Sequence, residues 1–296
     1  MKKKYIGLLF ITPWLLGFVV FTVYPFISSF VLSFTEYNII DPPRFAGFSN
    51  YVNMFTQDPD FWNSMLATFK YVFFTVPLKL AFALFIAFIL NFQLKGISLY
   101  RTAYYIPSIL GGNIAISVLW RFLFSTDGLV NQSVGIFGVE PLPWFSSSFG
   151  AMVTISLLRI WEFGSAMLIF LAALKEIPTD LYDAAAVDGA GKAKVFFKVT
   201  MPLLTPIIFF NLVMQMIHAF QEFNGPYMIT AGGPMKETYL FSMLIYDNSF
   251  KYFNMGYASA ISWILFVIIM IFTLMVFKSS SYWVFYSDEA GEKANG

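Results

Sequence analysis

Asn211, Gln215, His218 and Glu222 recur at intervals of four, three and four residues along an otherwise apolar stretch. At about 100° per residue they share one narrow helical face. Amides, an imidazole and a carboxylate in one row can exchange hydrogen bonds with the hydroxyl groups of a passing solute. The same row can serve as hydrogen-bonding glue between helices. In lipid such a stripe must face protein or water. A second group, Lys79, Arg159 and Glu162, falls near the middle of two other apolar runs, where each charge costs about 2.5–3.5 kcal/mol to insert. Arg159 and Glu162 are three residues apart and suited to pair on one helix, which leaves Lys79 in need of a partner. The group reads either as a structural ion network or as a cationic surplus of one, Lys79 and Arg159 against Glu162, that attracts an anionic solute. Trp161 lies beside it, either stacking on a ring-shaped solute or packing.

Other chemistry is excluded. With no cysteine, disulfides, cysteine-ligated zinc and thiol catalysis are impossible, and one histidine cannot build a multi-histidine metal site. Neither His-Glu-x-x-His nor Gly-x-Ser-x-Gly occurs. Gly191-Lys192 invites a phosphate-loop reading, but Ala186 stands where that pattern needs its first glycine and Ala193 where it needs Ser or Thr. The chain is therefore not expected to bind ATP, a metal or any other cofactor. A net charge of +1 carries no nucleic-acid signal.

These groups must be positioned by elements that live in lipid. Of 296 residues, 58% are hydrophobic, 20% aromatic and 12% charged, against about 25% charged in a soluble domain. A soluble fold of this length cannot hide so much apolar surface. Six stretches are long enough to span a bilayer: 5–34, 69–90, 103–124, 149–174, 203–223 and 257–277. The expectation is an all-α integral membrane protein, one domain over 1–296, with six transmembrane helices. Lys2–Lys4 ahead of the first run suggest a signal peptide, but the run is too long and no small-x-small cleavage site follows. An uncleaved helix kinked at Pro13 and Pro25 is predicted. Gly225-Pro226 and Gly232-Gly233-Pro234 are expected to form turns outside the membrane.

Basic residues set the orientation. With the N-terminus inside, the inner segments hold Lys2, Lys3, Lys4, Lys95, Arg101, Lys175, Lys192, Lys194, Lys198, Lys278 and Lys293, while the outer loops hold only Arg44, Lys236 and Lys251. Lys70, Lys79, Arg121 and Arg159 lie in or beside spans. Both termini, with short tails at 1–4 and 279–296, are predicted to be cytoplasmic.

One inner segment, DAAAVDGAGKAKVFFKVTMPLLTP at 183–206, breaks the apolar pattern. Thr179 suits a helix N-cap, and Asp180 and Asp183 suit the first turn, where the helix dipole favours acids. Ala184, Ala185 and Ala186 supply helix propensity with little bulk. Gly189 suits a C-terminal cap, and a second short helix is expected over 192–199, with Pro202 and Pro206 at the start of the fifth span. A small-sided helix of this kind either presses against another protein or lies on the lipid surface.

The segment resembles the EAA loop of bacterial ABC importer permeases. Asp183-Ala184-Ala185, then Asp188-Gly189-Ala190, then Met201-Pro202 ahead of Pro206 follow that pattern, with Asp183 where glutamate is usual. Tyr24-Pro25 with Leu32-Ser33-Phe34, the run from Leu171 to Pro178, Phe223-Asn224, Tyr227, Thr230, Gly232-Gly233-Pro234 and the run from Gly256 to Ala260 resemble the carbohydrate-uptake, maltose-type branch. The resemblance implies a type I ABC importer permease fold in a bacterial inner membrane. It makes Asp183, Ala184, Ala185, Ala186, Asp188 and Gly189 a coupling helix that sits in a groove of an ATP-binding subunit. It also implies two such subunits holding ATP and Mg²⁺, a second homologous permease, an extracytoplasmic sugar-binding protein and a saccharide cargo. The polar stripe then becomes a candidate sugar path, and the cationic surplus a candidate attractor for an acidic, uronate-type sugar. The rivals are a secondary transporter, which the EAA-like loop argues against, and a membrane enzyme, for which no catalytic pattern is found.

Overall fold

The computed structural model describes residues 3–92 and 96–285. Lys2, Lys95, Lys293 and the tail residues 1–2 and 286–296 lie outside the described residues; the start of the expected C-terminal tail is helical as far as Trp283.

Helix α1 (Lys3–Phe18) holds Pro13 and runs through a π turn, Val19–Val23, into α2 (Tyr24–Leu32). The Tyr24 N–H reaches back five residues to the Val19 carbonyl. This wider turn accommodates Pro25, which lacks an N–H and clashes with a carbonyl four residues back in a regular helix. Strands β1 (Thr35–Glu36) and β2 (Arg44–Phe45) pair antiparallel, Thr35 with Phe45 and Glu36 with Arg44. Helix α3 (Ser49–Thr56) leads to α4 (Pro59–Leu90), which begins well before the apolar run at 69. Asp58 caps α4, its Oδ1 accepting from the N–H groups of Asp60 at 2.8 Å and Phe61 at 3.3 Å.

The third and fourth expected spans are not single straight helices. Helices α5 (Ile97–Leu110) and α6 (Ile114–Leu123) meet at 104°. Gly112 takes the left-handed φ of 78° that a side chain disfavours, and Asn113 Oδ1 caps α6 by accepting from the Ala115 N–H at 3.0 Å. After α7 (Leu129–Gly135), helices α8 (Ser148–Trp161) and α9 (Gly164–Glu176) are bent by 47°. With each bent pair taken as one span, the described residues hold six; the other four are unbroken helices.

Helix α10 (Thr179–Val187) starts behind Pro178, which takes the cap position expected for Thr179; Asp183 consequently falls in the second turn. The separate helix expected over 192–199 is absent. Helix α11 (Lys192–Val195), a second π turn (Phe196–Thr200) and α12 (Met201–Phe220) form one 29-residue helix. The Met201 N–H bonds back to the Phe196 carbonyl, and the wide turn accommodates Pro202 as the first one does Pro25. Gly225 and Pro226, expected to make a turn, lie in α13 (Asn224–Ile229). Helix α14 (Phe241–Tyr246), a third π turn (Asp247–Lys251) and α15 (Met255–Trp283) complete the described chain.

The chain forms two compact units, the first reaching to Trp62 and including Met243–Ile268, the second comprising Asn63–Ser242 and the chain from Ile269. In the first, the Trp263 ring lies 4.7 Å from those of both Phe26 and Phe30, and its Nε1 donates to Ser29 Oγ at 3.2 Å. Buried Asn50 donates from Nδ2 to the carbonyls of Ser33 at 2.9 Å and Thr35 at 3.0 Å. In the second, α12 and α5 pack on α9, and α13 packs on α6 and α8. Its interior includes Tyr71, Ile155, Phe170 and Phe220, and Thr75 Oγ1 donates to Ser156 Oγ at 2.8 Å between α4 and α8. Lipid tails are as apolar as these side chains, so close packing and interhelical hydrogen bonds hold such helices together.

Candidate functional site

The charged residues meet where helices break. Arg159 stands in the last turn of α8, Glu162 at the bend before α9 and Glu222 just beyond α12. Arg159 Nη1 contacts Glu162 Oε2 at 2.6 Å, and Arg159 Nε lies 3.6 Å from Glu222 Oε2. The other Glu162 oxygen, Oε1, accepts from the Gly112 N–H at 3.1 Å, while Ser108 Oγ donates to the Glu162 carbonyl at 3.1 Å and accepts from the Ser165 N–H at 3.0 Å. Asn224 Nδ2 donates to the Gly112 carbonyl at 3.1 Å. Glu162 thus fastens the α5–α6 break to the α8–α9 break. Two glycines permit the approach: a Cβ on Gly111 would collide with the Glu162 side chain, and one on Gly164 would lie 2.6 Å from the Tyr104 carbonyl oxygen.

Lys79 is 3% exposed and forms no ion pair or hydrogen bond among the described residues; Glu162 and Glu222 attract it and Arg159 repels it. The surplus of one positive charge read from Lys79, Arg159 and Glu162 does not hold, because Glu222 brings the group to two charges of each sign. Trp161 packs against Trp120, with ring centroids 5.7 Å apart.

The stripe divides. Asn211 is buried and donates from Nδ2 to the Ile207 carbonyl at 3.1 Å, within its own helix. Glu222 lies past the end of α12 and belongs to the charged group. Gln215 is half-buried and His218 exposed, and neither side chain has a hydrogen bond among the described residues. Of the four, these two have polar atoms available to a solute.

The alanine segment forms a closed turn. The Gly189 N–H donates to the Ala186 carbonyl at 3.0 Å and the Ala190 N–H to the Ala185 carbonyl at 2.9 Å. This pair is the Schellman termination, which requires a left-handed residue, and Gly189 supplies it with φ at 65°. Asp183, Ala184, Ala186 and Asp188 are exposed, Ala185 half-buried. A cavity of about 380 Å³ separates this helix from the end of α4, lined by Phe88, Phe92, Tyr182, Ala186 and Ala190 among others.

The family model described as "Binding-protein-dependent transport system inner membrane component" matches residues 56–284, well over half of the chain. The chain belongs to that family. This permease is 47% identical over 291 residues to the "Probable ABC transporter permease protein YesP" of Bacillus subtilis, covering 97% of this chain and 94% of the relative. It is 36% identical to the "Sulfoquinovosyl glycerol transport system permease protein SmoG" of Agrobacterium fabrum, covering 86% of this chain and 84% of that one. A chain of a bacterial ABC transporter crystal structure "involved in the import of the acidic polysaccharide alginate" superposes with a TM-score of 0.81 at 21% identity, over 95% of this permease and 96% of that chain. At that identity the likeness shows the fold, that of an ABC importer permease. The permease is a transport component of the inner membrane rather than an enzyme: the family is described as a transport system component, and the relatives are named as permeases.

Reading the permease by sequence alone misses Ser108, Gly111 and Gly112, and names Asn224 only within the family resemblance, without its bond to Gly112. Gly111-Gly112-Asn113 carries a legible signal, two glycines followed by a capping residue. Ser108 carries none, and the contact of Asn224 with Gly112 carries none either, because only the folded helices bring both residues to the breaks.

Proposed function

We propose that this permease forms half of the translocation path of an ATP-driven saccharide importer. A second homologous permease forms the other half, two ATPase subunits hold ATP and Mg²⁺, and an extracytoplasmic binding protein delivers the sugar. Both termini and α10 face the cytoplasm, consistent with the distribution of lysine and arginine. One observation carries the reading: the unbroken helix Lys192–Phe220 begins three residues after Gly189 and carries Gln215 and His218. An α-helix is stiff along its axis, so a displacement of α10 by an ATPase is passed to the polar groups of the path. The sugar class is supported by the relative named for sulfoquinovosyl glycerol transport.

Co-purification with an ATP-binding subunit tests the assembly; a secondary transporter purifies without one. Gln215→Ala tests the path. It removes one amide that has no hydrogen bond among the described residues, so the prediction is normal assembly with sugar uptake lowered about 5- to 10-fold, one lost hydrogen bond of about 1–1.5 kcal/mol. Unchanged uptake of every saccharide tried assigns Gln215 to packing.

A second reading, an acidic cargo such as a uronate oligosaccharide, is favoured by the sulfonate that sulfoquinovose carries. The balanced charges around Lys79 argue for a neutral one. In reconstituted vesicles Lys79→Met is expected to lower uptake of a uronate oligomer and its neutral counterpart equally. A loss confined to the uronate oligomer decides for the acidic cargo.

A further inference from the structure

Two adjoining polar depressions lie in the first unit. One, of about 300 Å³, is lined by Asn53, Gln57, Asp58, Asn254 and Tyr257 among others. The second, of about 160 Å³, is lined by Glu36, Tyr37, Asp41 and Arg44 and shares Asn254 with the first.

Their walls are held in place. Asp58 caps α4 with one carboxylate oxygen and accepts from the Tyr257 hydroxyl at 2.5 Å with the other. The Asn254 N–H donates to the Asn248 carbonyl at 2.7 Å, and the Gly256 N–H to that of Tyr37 at 3.1 Å. Against this framework the side-chain amides of Asn53, Gln57 and Asn254 form no hydrogen bond among the described residues. Each amide sets a donor beside an acceptor. That pattern fits vicinal hydroxyls, each of which both donates and accepts. Tyr37 adds an aromatic ring to the second depression. The larger volume sits at the lower end of the range for small-molecule sites, enough for one pyranose ring, with the second depression taking part of the next.

Charge narrows the ligand further. Asp58, Glu36 and Asp41 face Arg44 alone, which leaves the lining two charges negative. A uronate is repelled and a neutral ring is not. The place along the chain also fits. Residues 36–58 and Asn254 lie in loops that the distribution of lysine and arginine puts on the outer face.

We infer that these depressions form an outer subsite for neutral sugar units, engaged before the saccharide enters the path. The inference rests on the saccharide reading above and assigns a second place of contact, built from other residues than Gln215.

The absence of cysteine leaves this chain with no background thiol, so labelling is read on this chain alone. In the assembled importer in nanodiscs, Gln57→Cys places a single thiol at the rim, and Val52→Cys, on an exposed position of α3, serves as control. Labelling by a membrane-impermeant maleimide is timed with maltotriose, with trigalacturonate and with neither. Maltotriose at four times its dissociation constant is expected to slow Gln57→Cys labelling about fivefold, to leave Val52→Cys unaffected, and to lose this effect when Asn254→Leu is added. Trigalacturonate is expected to protect less. Labelling rates that maltotriose leaves unchanged overturn the inference. Protection by the binding protein without sugar also overturns it, making the surface a protein contact. Uptake is measured in parallel: saccharide uptake with an unprotected Gln57→Cys removes the subsite alone, whereas an importer that moves no saccharide removes the saccharide reading.

Discussion

Gly189→Pro is expected to abolish coupling while leaving the permease inserted. Gly189 holds a φ of 65° and donates its N–H to the Ala186 carbonyl. Proline fixes φ near −65° and has no N–H, so the end of α10 cannot close and the Ala190 to Ala185 bond is lost with it. No membrane span is touched, so assembly should persist. Sugar-stimulated ATP hydrolysis in the assembled importer is expected to fall about 10- to 100-fold, a coupling energy of about 1–3 kcal/mol. Gly189→Asn is the informative companion. Asparagine tolerates the left-handed region, and a Cβ at this position meets nothing within 4 Å, so it should retain most of the coupling. A bulky residue at Ala185 should behave like the proline by holding the partner off. Wild-type stimulation in Gly189→Pro would remove the coupling role from α10.

Glu162→Ala is the second large effect. It deletes the acceptor for the Gly112 N–H and the close partner of Arg159. The side chain is 7% exposed, and removing one member of a buried, hydrogen-bonded pair costs about 3 kcal/mol or more. Arg159 keeps only the looser contact with Glu222 at 3.6 Å. A markedly lower melting temperature in detergent is expected, together with loss of transport. Glu162→Gln keeps an acceptor for Gly112 and gives up only charge, so it should fall between the two. If Glu162→Ala melts with the wild type, the two breaks are held by packing at Gly111 and Gly164 and the ion pair is dispensable.

What the amino-acid sequence determined by itself is local. Apolar runs of about 20 residues specify spans because each residue's transfer into lipid depends on its own side chain. Alanines closed by Gly189 specify a short capped helix because propensity and left-handed φ are properties of single residues. The run from Asp183 to Gly189 therefore sufficed to place a short helix with a closed end. Gly111-Gly112-Asn113 announces a break in the same local way, although the apolar run through it disguises it as one straight span. The tertiary structure decided what depends on distant partners. The bend between Trp161 and Gly164 has no proline or paired glycines to announce it, and Gly164 there lies so close to a distant helix that a Cβ would stand 2.6 Å from the Tyr104 carbonyl oxygen. Helical spacing placed Glu222 on the stripe of α12, yet that helix ends at Phe220, and the chain beyond it delivers the carboxylate to Arg159. The charge balance around Lys79 changes with that one turn. Pairings across 60 residues or more are set by close packing of whole helices, and no window of the sequence contains both partners.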